Sequence, residues 1–188
     1  LFIGSEGTLG VVTRAVLRLH PLPASVCTAL CAVGDYEQAV AFLRRAQEGL
    51  AGTLSSFEMM WPDFYEMVTA RVPGLSTPLA HGHGRYVLVE GMGSNQPRDQ
   101  EQFETVLLGA AEQAIVAEAV IAQSSAEAQA FWRIRDASGE MMQLIDFQAK
   151  FDVSIPTRDI GRFLEDCRSA IQRRWPGAES VAFGHIGD

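Results

Sequence analysis

The sequence predicts an α+β fold: a ferredoxin-like plait, an antiparallel sheet with helices on one face, extended by further β-α-β elements. Three observations predict it. Short strand-like apolar runs alternate with stretches whose apolar residues recur at helical spacing, in the order β-α-β-(helix)-β-α-β. Breaks containing proline or glycine separate the runs. With 188 residues, 47% of them hydrophobic and 20% charged, the chain can bury a core without disulfides or a metal.

In order, Leu1 to Ile3 reads as a short apolar strand, followed by a Gly-rich turn and an extended run from Val11 to Leu19. The run ends at His20-Pro21-Leu22-Pro23, where two prolines forbid a regular ladder or helix. This places a boundary between residues 1–23 and 24–188. Val26 to Val33 is the next strand. Asp35 then caps a helix with Val40, Leu43, Ala46 and Leu50 on one stripe. Leu54 to Met60 is a strand, and Trp61 to Thr69 a short helix with Pro62 in its first turn. A loop bearing Pro73, Gly74, Pro78, Gly82 and Gly84 leads to a strand from Tyr86 to Glu90. Phe103, Val106, Leu107, Ala110 and Ala114 mark another helix, and Ala117 to Gln123 another strand. Ser125 to about Leu144 reads as one long helix, and Lys150 to Ile155 as a strand. Pro156-Thr157 opens a helix with Ile160, Phe163, Leu164, Cys167 and Ile171 on one side, and Val181 to Phe183 begins a last strand.

Charge and composition exclude several functions. The net charge is −8 and the basic residues are dispersed, which argues against nucleic acid as a partner. No apolar run reaches the roughly 20 residues of a membrane-spanning helix, and no leader-like segment is present. Cys27, Cys31 and Cys167 show no metal-type spacing. They read as reduced core thiols of a cytoplasmic protein, or one peripheral to a membrane. The chain opens on an apolar run without methionine and stops on Phe183-Gly-His-Ile-Gly-Asp188, so we expect a fragment cut within its motifs.

Four places could carry chemistry. Gly4-Ser5-Glu6-Gly7-Thr8-Leu9-Gly10 offers backbone N–H groups and hydroxyls that suit a phosphate or a flavin edge, or it is a plain Gly-rich hairpin. It matches neither a dinucleotide fingerprint nor a P-loop. Alternation over Lys150 to Ile155 puts Lys150, Asp152 and Ser154 on one face, which could line a polar cavity or simply meet solvent. Arg135 stands beside an apolar stripe, placed either to grip a carboxylate or to cover that stripe with its stem. His185, between glycines after a strand, could be a metal ligand or a base. His81 and His83 fit a solvated loop better than a chelate.

Taken together, these segments resemble a known family. Leu1-Phe-Ile-Gly-Ser-Glu-Gly-Thr-Leu-Gly-Val-Val-Thr13 with the run to Pro23, Lys150-Phe-Asp-Val-Ser-Ile-Pro156 and Phe183-Gly-His-Ile-Gly-Asp188 occur in the order seen in FAD-linked oxidases of the vanillyl-alcohol-oxidase-like superfamily. The branch is that of D-lactate dehydrogenase, the glycolate oxidase FAD subunit and D-2-hydroxyglutarate dehydrogenase.

The resemblance implies that residues 1–23 end an FAD-binding (PCMH-type) domain and its linker. Residues 24–188 would form the substrate domain, truncated at its C-terminus. It implies FAD contacts at Gly4, Ser5, Glu6, Gly7, Thr8 and Gly10, and a substrate carboxylate held by Arg135 and Lys150. His185 resembles the first histidine of His-x-Gly-Asp-Gly-Asn-x-His, a divalent zinc or manganese motif whose remainder does not follow Asp188. Where some members have a hydroxyl residue, this chain has Gly139 beside Ser138.

The implied reaction oxidises a small-molecule 2-hydroxy acid to the 2-keto acid by hydride transfer to FAD, and a further electron acceptor then reoxidises the flavin. The implied partners are the FAD domain of the same parent chain and that acceptor. The isolated chain is expected to be inactive. A non-catalytic, ferredoxin-like small-metabolite-binding module is the alternative.

Overall fold

The computed structural model describes residues 2–5, 7–141, 143–145 and 147–187. Five strands form one open sheet in the order β4-β1-β3-β2-β5, and every neighbouring pair is antiparallel. The strands are β1 (Ser25–Val33), β2 (Leu54–Met60), β3 (Arg85–Gly93), β4 (Glu118–Ile121) and β5 (Phe183–His185). The helices are α1 (Tyr36–Gly49), α2 (Pro62–Arg71), α3 (Gln96–Glu112), α4 (Ser125–Asp136), α5 (Ser138–Met141) and α6 (Thr157–Arg174). Capping sets their starts: Asp35 accepts from the Gln38 N–H, Asn95 from Arg98 and Ser124 from Glu127.

The expected α+β class is found, with the sheet covered more fully than a single helical face. Cys27, Ala29, Cys31 and Val33 of β1 join Phe57, Met59, Val87 and Val89 in a core under α1 and α3, with Ile160 and Leu164 of α6 at its margin. The alternate residues Leu30, Ala32, Met60, Tyr86 and Leu88 face the other way, onto α2, α4 and α5. Both faces of the central strands are therefore apolar, so the helices divide between them. Cys27 and Cys31 are buried free thiols, and burial pushes both thiol pKa values up, as expected of inert core cysteines.

Four local expectations are corrected. The strand expected over Leu1 to Ile3 is not formed by Phe2 and Ile3, and Leu1 lies outside the described residues. The Phe2 carbonyl instead accepts from the Ser5 N–H in a turn, and Ile3 is exposed. The strand expected over Lys150 to Ile155 does not form. It has no ladder partner among the described residues, and Phe151 (82% exposed) and Val153 (57%) pack on nothing that would hold it. The long helix from Ser125 stops at Asp136, where the Ala137 N–H turns back to the Ile134 carbonyl three residues earlier, and one further turn, α5, follows from Ser138. Val181 and Ala182 precede rather than begin β5: the Ala182 N–H donates to Asp63 Oδ1, and its carbonyl accepts from Trp61 N–H.

Gly84, just before β3, makes a close backbone approach to Gly34, just after β1. A Cβ there would stand 1.6 Å from the Gly34 carbonyl oxygen, which is backbone and cannot swing aside. Gly84→Ala is expected to cost about 1–3 kcal/mol by overpacking, read as a lower urea midpoint. An unchanged midpoint would show that the 34 and 84 segments separate freely.

Candidate functional site

The site begins with two glutamates inside apolar strands. On β2, Phe57 and Met59 enter the α1/α3 core, so period-two alternation sends Glu58 to the opposite face with Met60. On β3 the same logic sends Glu90 there with Leu88. Both are buried, Glu58 at 3% and Glu90 at 4% exposure. An unpaired carboxylate in such a place is strongly disfavoured, so each needs donors.

Helix α4 supplies them. Phe131 and Ile134 anchor it on this face, and Trp132 and Arg135, one turn apart, reach down to the two carboxylates. Trp132 Nε1 donates to Glu90 Oε2 at 2.8 Å, and Thr28 Oγ1 donates to the same oxygen at 2.8 Å. Arg135 Nε donates to Glu58 Oε2 at 2.8 Å. Strand β5 then lies along β2 in a register that sets His185 opposite Glu58. His185 Nδ1 stands 2.5 Å from Glu58 Oε1.

Arg135 closes the triangle. Its Nη2 lies 3.2 Å from His185 Nε2, its Nη1 donates to Asp136 Oδ1 at 3.3 Å, and its guanidinium sits 5.6 Å from the Phe183 ring centroid. A guanidinium only donates, so His185 Nε2 accepts, and the imidazole proton resides on Nδ1, donated to Glu58. The Arg135 side chain is 17% exposed and that of His185 61%, so the cluster opens to solvent on the histidine side.

The structure brings Arg135 and His185 together, with Glu58 between them. Among the described residues the hydrogen bonds of Arg135 run to Glu58, Asp136 and His185, and Lys150 is not among them. Lys150 stands on the exposed, irregular segment 147–156. The Gly4 to Gly10 loop is a pair of turns: Thr8 N–H and Oγ1 both donate to the Ser5 carbonyl, Gly4 and Gly7 have positive φ, and a Cβ at either would meet open space. Glu6 and Asp188 lie outside the described residues.

Neither implied group fits the described residues alone. A flavin needs an enclosing cleft, and the exposed 4–10 turns make none. For a metal, His185 is joined by no group of three potential ligands among the described residues, and its two nitrogens face Glu58 and Arg135.

Sequence reading missed Glu58, Glu90 and Thr28. The available signal was a glutamate on the buried stripe of each apolar strand, Phe57-Glu58-Met59-Met60 and Leu88-Val89-Glu90.

A family model described as the C-terminal domain of FAD-linked oxidases matches residues 22–188. A mitochondrial D-2-hydroxyglutarate dehydrogenase of Arabidopsis thaliana is 35% identical over 188 residues, covering all of this chain and 33% of the relative. A D-2-hydroxyglutarate dehydrogenase of Xanthomonas citri is 32% identical, covering all of this chain and 39% of the relative. A putative mitochondrial D-lactate dehydrogenase of Schizosaccharomyces pombe is 29% identical, covering all of this chain and 37% of the relative. The chain thus spans about a third of the length of these relatives.

Proposed function

The chain belongs to the FAD-linked oxidases, as their C-terminal domain, and from that premise we propose that it is the substrate-side part of a flavin-dependent 2-hydroxy-acid dehydrogenase. The protein that carries it oxidises an acid of the D-2-hydroxyglutarate, D-lactate or glycolate type to the 2-keto acid. Residues 1–23 end the flavin-binding part, which holds the FAD, and residues 24–188 form the substrate domain. A separate acceptor takes the electrons onward. The order β4-β1-β3-β2 supports reading the sheet as a ferredoxin-like plait extended by β5. The buried free thiols fit a reducing compartment, the cytoplasm. No helix among the described residues is long and apolar enough to cross a membrane.

The observation that carries the reading is Arg135 held at a solvent-facing edge beside His185, with its Nε on a buried carboxylate. Two N–H groups of the five on a guanidinium remain beyond the three bonds seen, a suitable edge for a carboxylate. In this reading Arg135 binds the substrate carboxylate, and Lys150 adds a second positive charge from the adjoining segment. His185 lies within reach of the hydroxyl end as a proton-handling nitrogen.

Dye reduction by the complete flavin-loaded protein that carries this chain, with D-2-hydroxyglutarate, D-lactate and glycolate, tests the reading. One of the three should support turnover, and loss of all three leaves a non-catalytic metabolite-binding module. Lys150→Ala should lower kcat/KM about tenfold or more, the usual scale for a lost charge-assisted contact. Unchanged kinetics would remove Lys150 from the site.

A further inference from the structure

The resemblance drawn above gives Glu58 no part in the site. We propose that Glu58 is its positioning residue: one carboxylate fixes the guanidinium of Arg135 and the proton of His185 at the same time. The inference rests on the reading of Arg135 and His185 as site residues.

The geometry uses both oxygens separately, Oε2 for Arg135 Nε at 2.8 Å and Oε1 for His185 Nδ1 at 2.5 Å. Glu58 is itself rigid, being buried at 3% exposure on an inner strand paired on both sides. Its two partners lie on elements far apart in sequence, α4 and the edge strand β5, so one side chain ties the helix to the edge of the sheet. With the Nδ1 proton directed at Glu58, Nε2 carries the lone pair and points toward Arg135 and the open side. This is the arrangement by which a carboxylate behind a histidine selects the tautomer and orients the ring.

A glutamine at this position cannot reproduce it. With its oxygen on Arg135, its amide N–H groups face Nδ1, the imidazole proton moves to Nε2, and that proton then opposes the Nη2 donor of Arg135. Flipped, the amide instead presents its own N–H to Arg135 Nε. Either orientation sets a donor against a donor. Phe57, Met59 and the rest of the α1/α3 core lie on the other face of β2 and are untouched by the change.

The test uses the complete flavin-loaded protein and first compares Glu58→Gln, His185→Gln and the double variant. Glu58→Gln should lower kcat/KM about 10- to 100-fold, the range for losing the partner behind an oriented histidine. The double variant should be no worse than the poorer single, because both act through one arrangement. Carbethoxylation of His185, followed by peptide mass spectrometry, should be faster in Glu58→Gln with circular dichroism unchanged. Glu58→Asp, which keeps the charge but cannot span both partners, should also expose His185 and serves if the glutamine variant folds poorly. Wild-type kinetics with an equally protected His185 would overturn the proposal. So would losses that simply multiply in the double variant alongside a lowered Tm, the mark of a purely structural role. If instead Arg135→Met leaves turnover unchanged, the reading of the site fails. The carbethoxylation result then still decides whether Glu58 holds His185.

Discussion

Replacing Arg135 by methionine is expected to lower kcat/KM for the 2-hydroxy acid by about two to three orders of magnitude, the loss that follows removing one partner of a desolvated charge pair. Methionine keeps most of the stem that packs beside Phe183, so the change isolates the guanidinium. Two effects combine. The substrate loses its forked cation, and Glu58 loses its Nε donor while staying buried, with His185 as its remaining partner. Breaking a buried pair from one side costs about 3–5 kcal/mol of stability in comparable cases, so the variant is also expected to melt earlier. Arg135→Lys separates the two: it restores a positive charge near Glu58 but not the fork, so stability should recover more than catalysis. Steady-state dye reduction and urea unfolding on the same preparations give both numbers. A kcat/KM within threefold of wild type in the methionine variant would take Arg135 out of the site, whatever happens to stability.

Much of the fold was legible because its signals are local. Asp35 announced the start of α1, and its side chain does accept from the Gln38 N–H at 2.8 Å. The apolar runs of β1 to β4 placed these strands within a few residues of their observed bounds, and the stripe from Val40 to Leu50 and the proline at 62 did the same for α1 and α2, while α3 starts at Gln96, ahead of the stripe that Phe103 opens. What failed was non-local. Alternation over Lys150 to Ile155 is a strand pattern, but a strand exists only beside a partner, and sequence spacing carries no information about partners. The division of helices between two faces followed from both stripes of β1 and β3 being apolar, which was visible but was not used.

The site shows the same contrast. Arg135 and His185 could be picked out singly, one as a cation at the edge of a stripe and the other as a histidine between glycines. Their meeting could not be seen, because it depends on β5 pairing with β2 across 127 residues of chain and on α4 crossing that face. Glu58 and Glu90 were legible as anomalies, a charge on each buried stripe. Only the structure shows what compensates them.

The second large effect concerns Tyr65, whose ring is fully buried against Tyr86 at 3.7 Å between centroids. Its hydroxyl donates to the Leu79 carbonyl at 3.0 Å and accepts from the Leu79 N–H at 3.1 Å, pinning the loop between α2 and β3 to the core. Tyr65→Phe removes one oxygen and strands two buried backbone groups, so the expected loss is about 2–4 kcal/mol. The phenol also carries an alkaline signature. Burial pushes its pKa up to about 12 from its ordinary 10.0, so between these values the native state binds more protons than the unfolded state. Stability from this group is complete below pH 10 and falls as pH rises toward 12, by about 2–3 kcal/mol over the interval. Tyr36 and Tyr86, raised in the same direction by burial, leave a shallower slope in the phenylalanine variant. Urea unfolding at pH 8 and at steps from 10 to 12 should therefore show two curves converging as pH rises, with the wild type losing its advantage. Parallel curves would mean that the hydroxyl keeps its proton no better in the fold than in the open chain, and the account of Tyr65 as a buried double hydrogen-bonding group would fall with it.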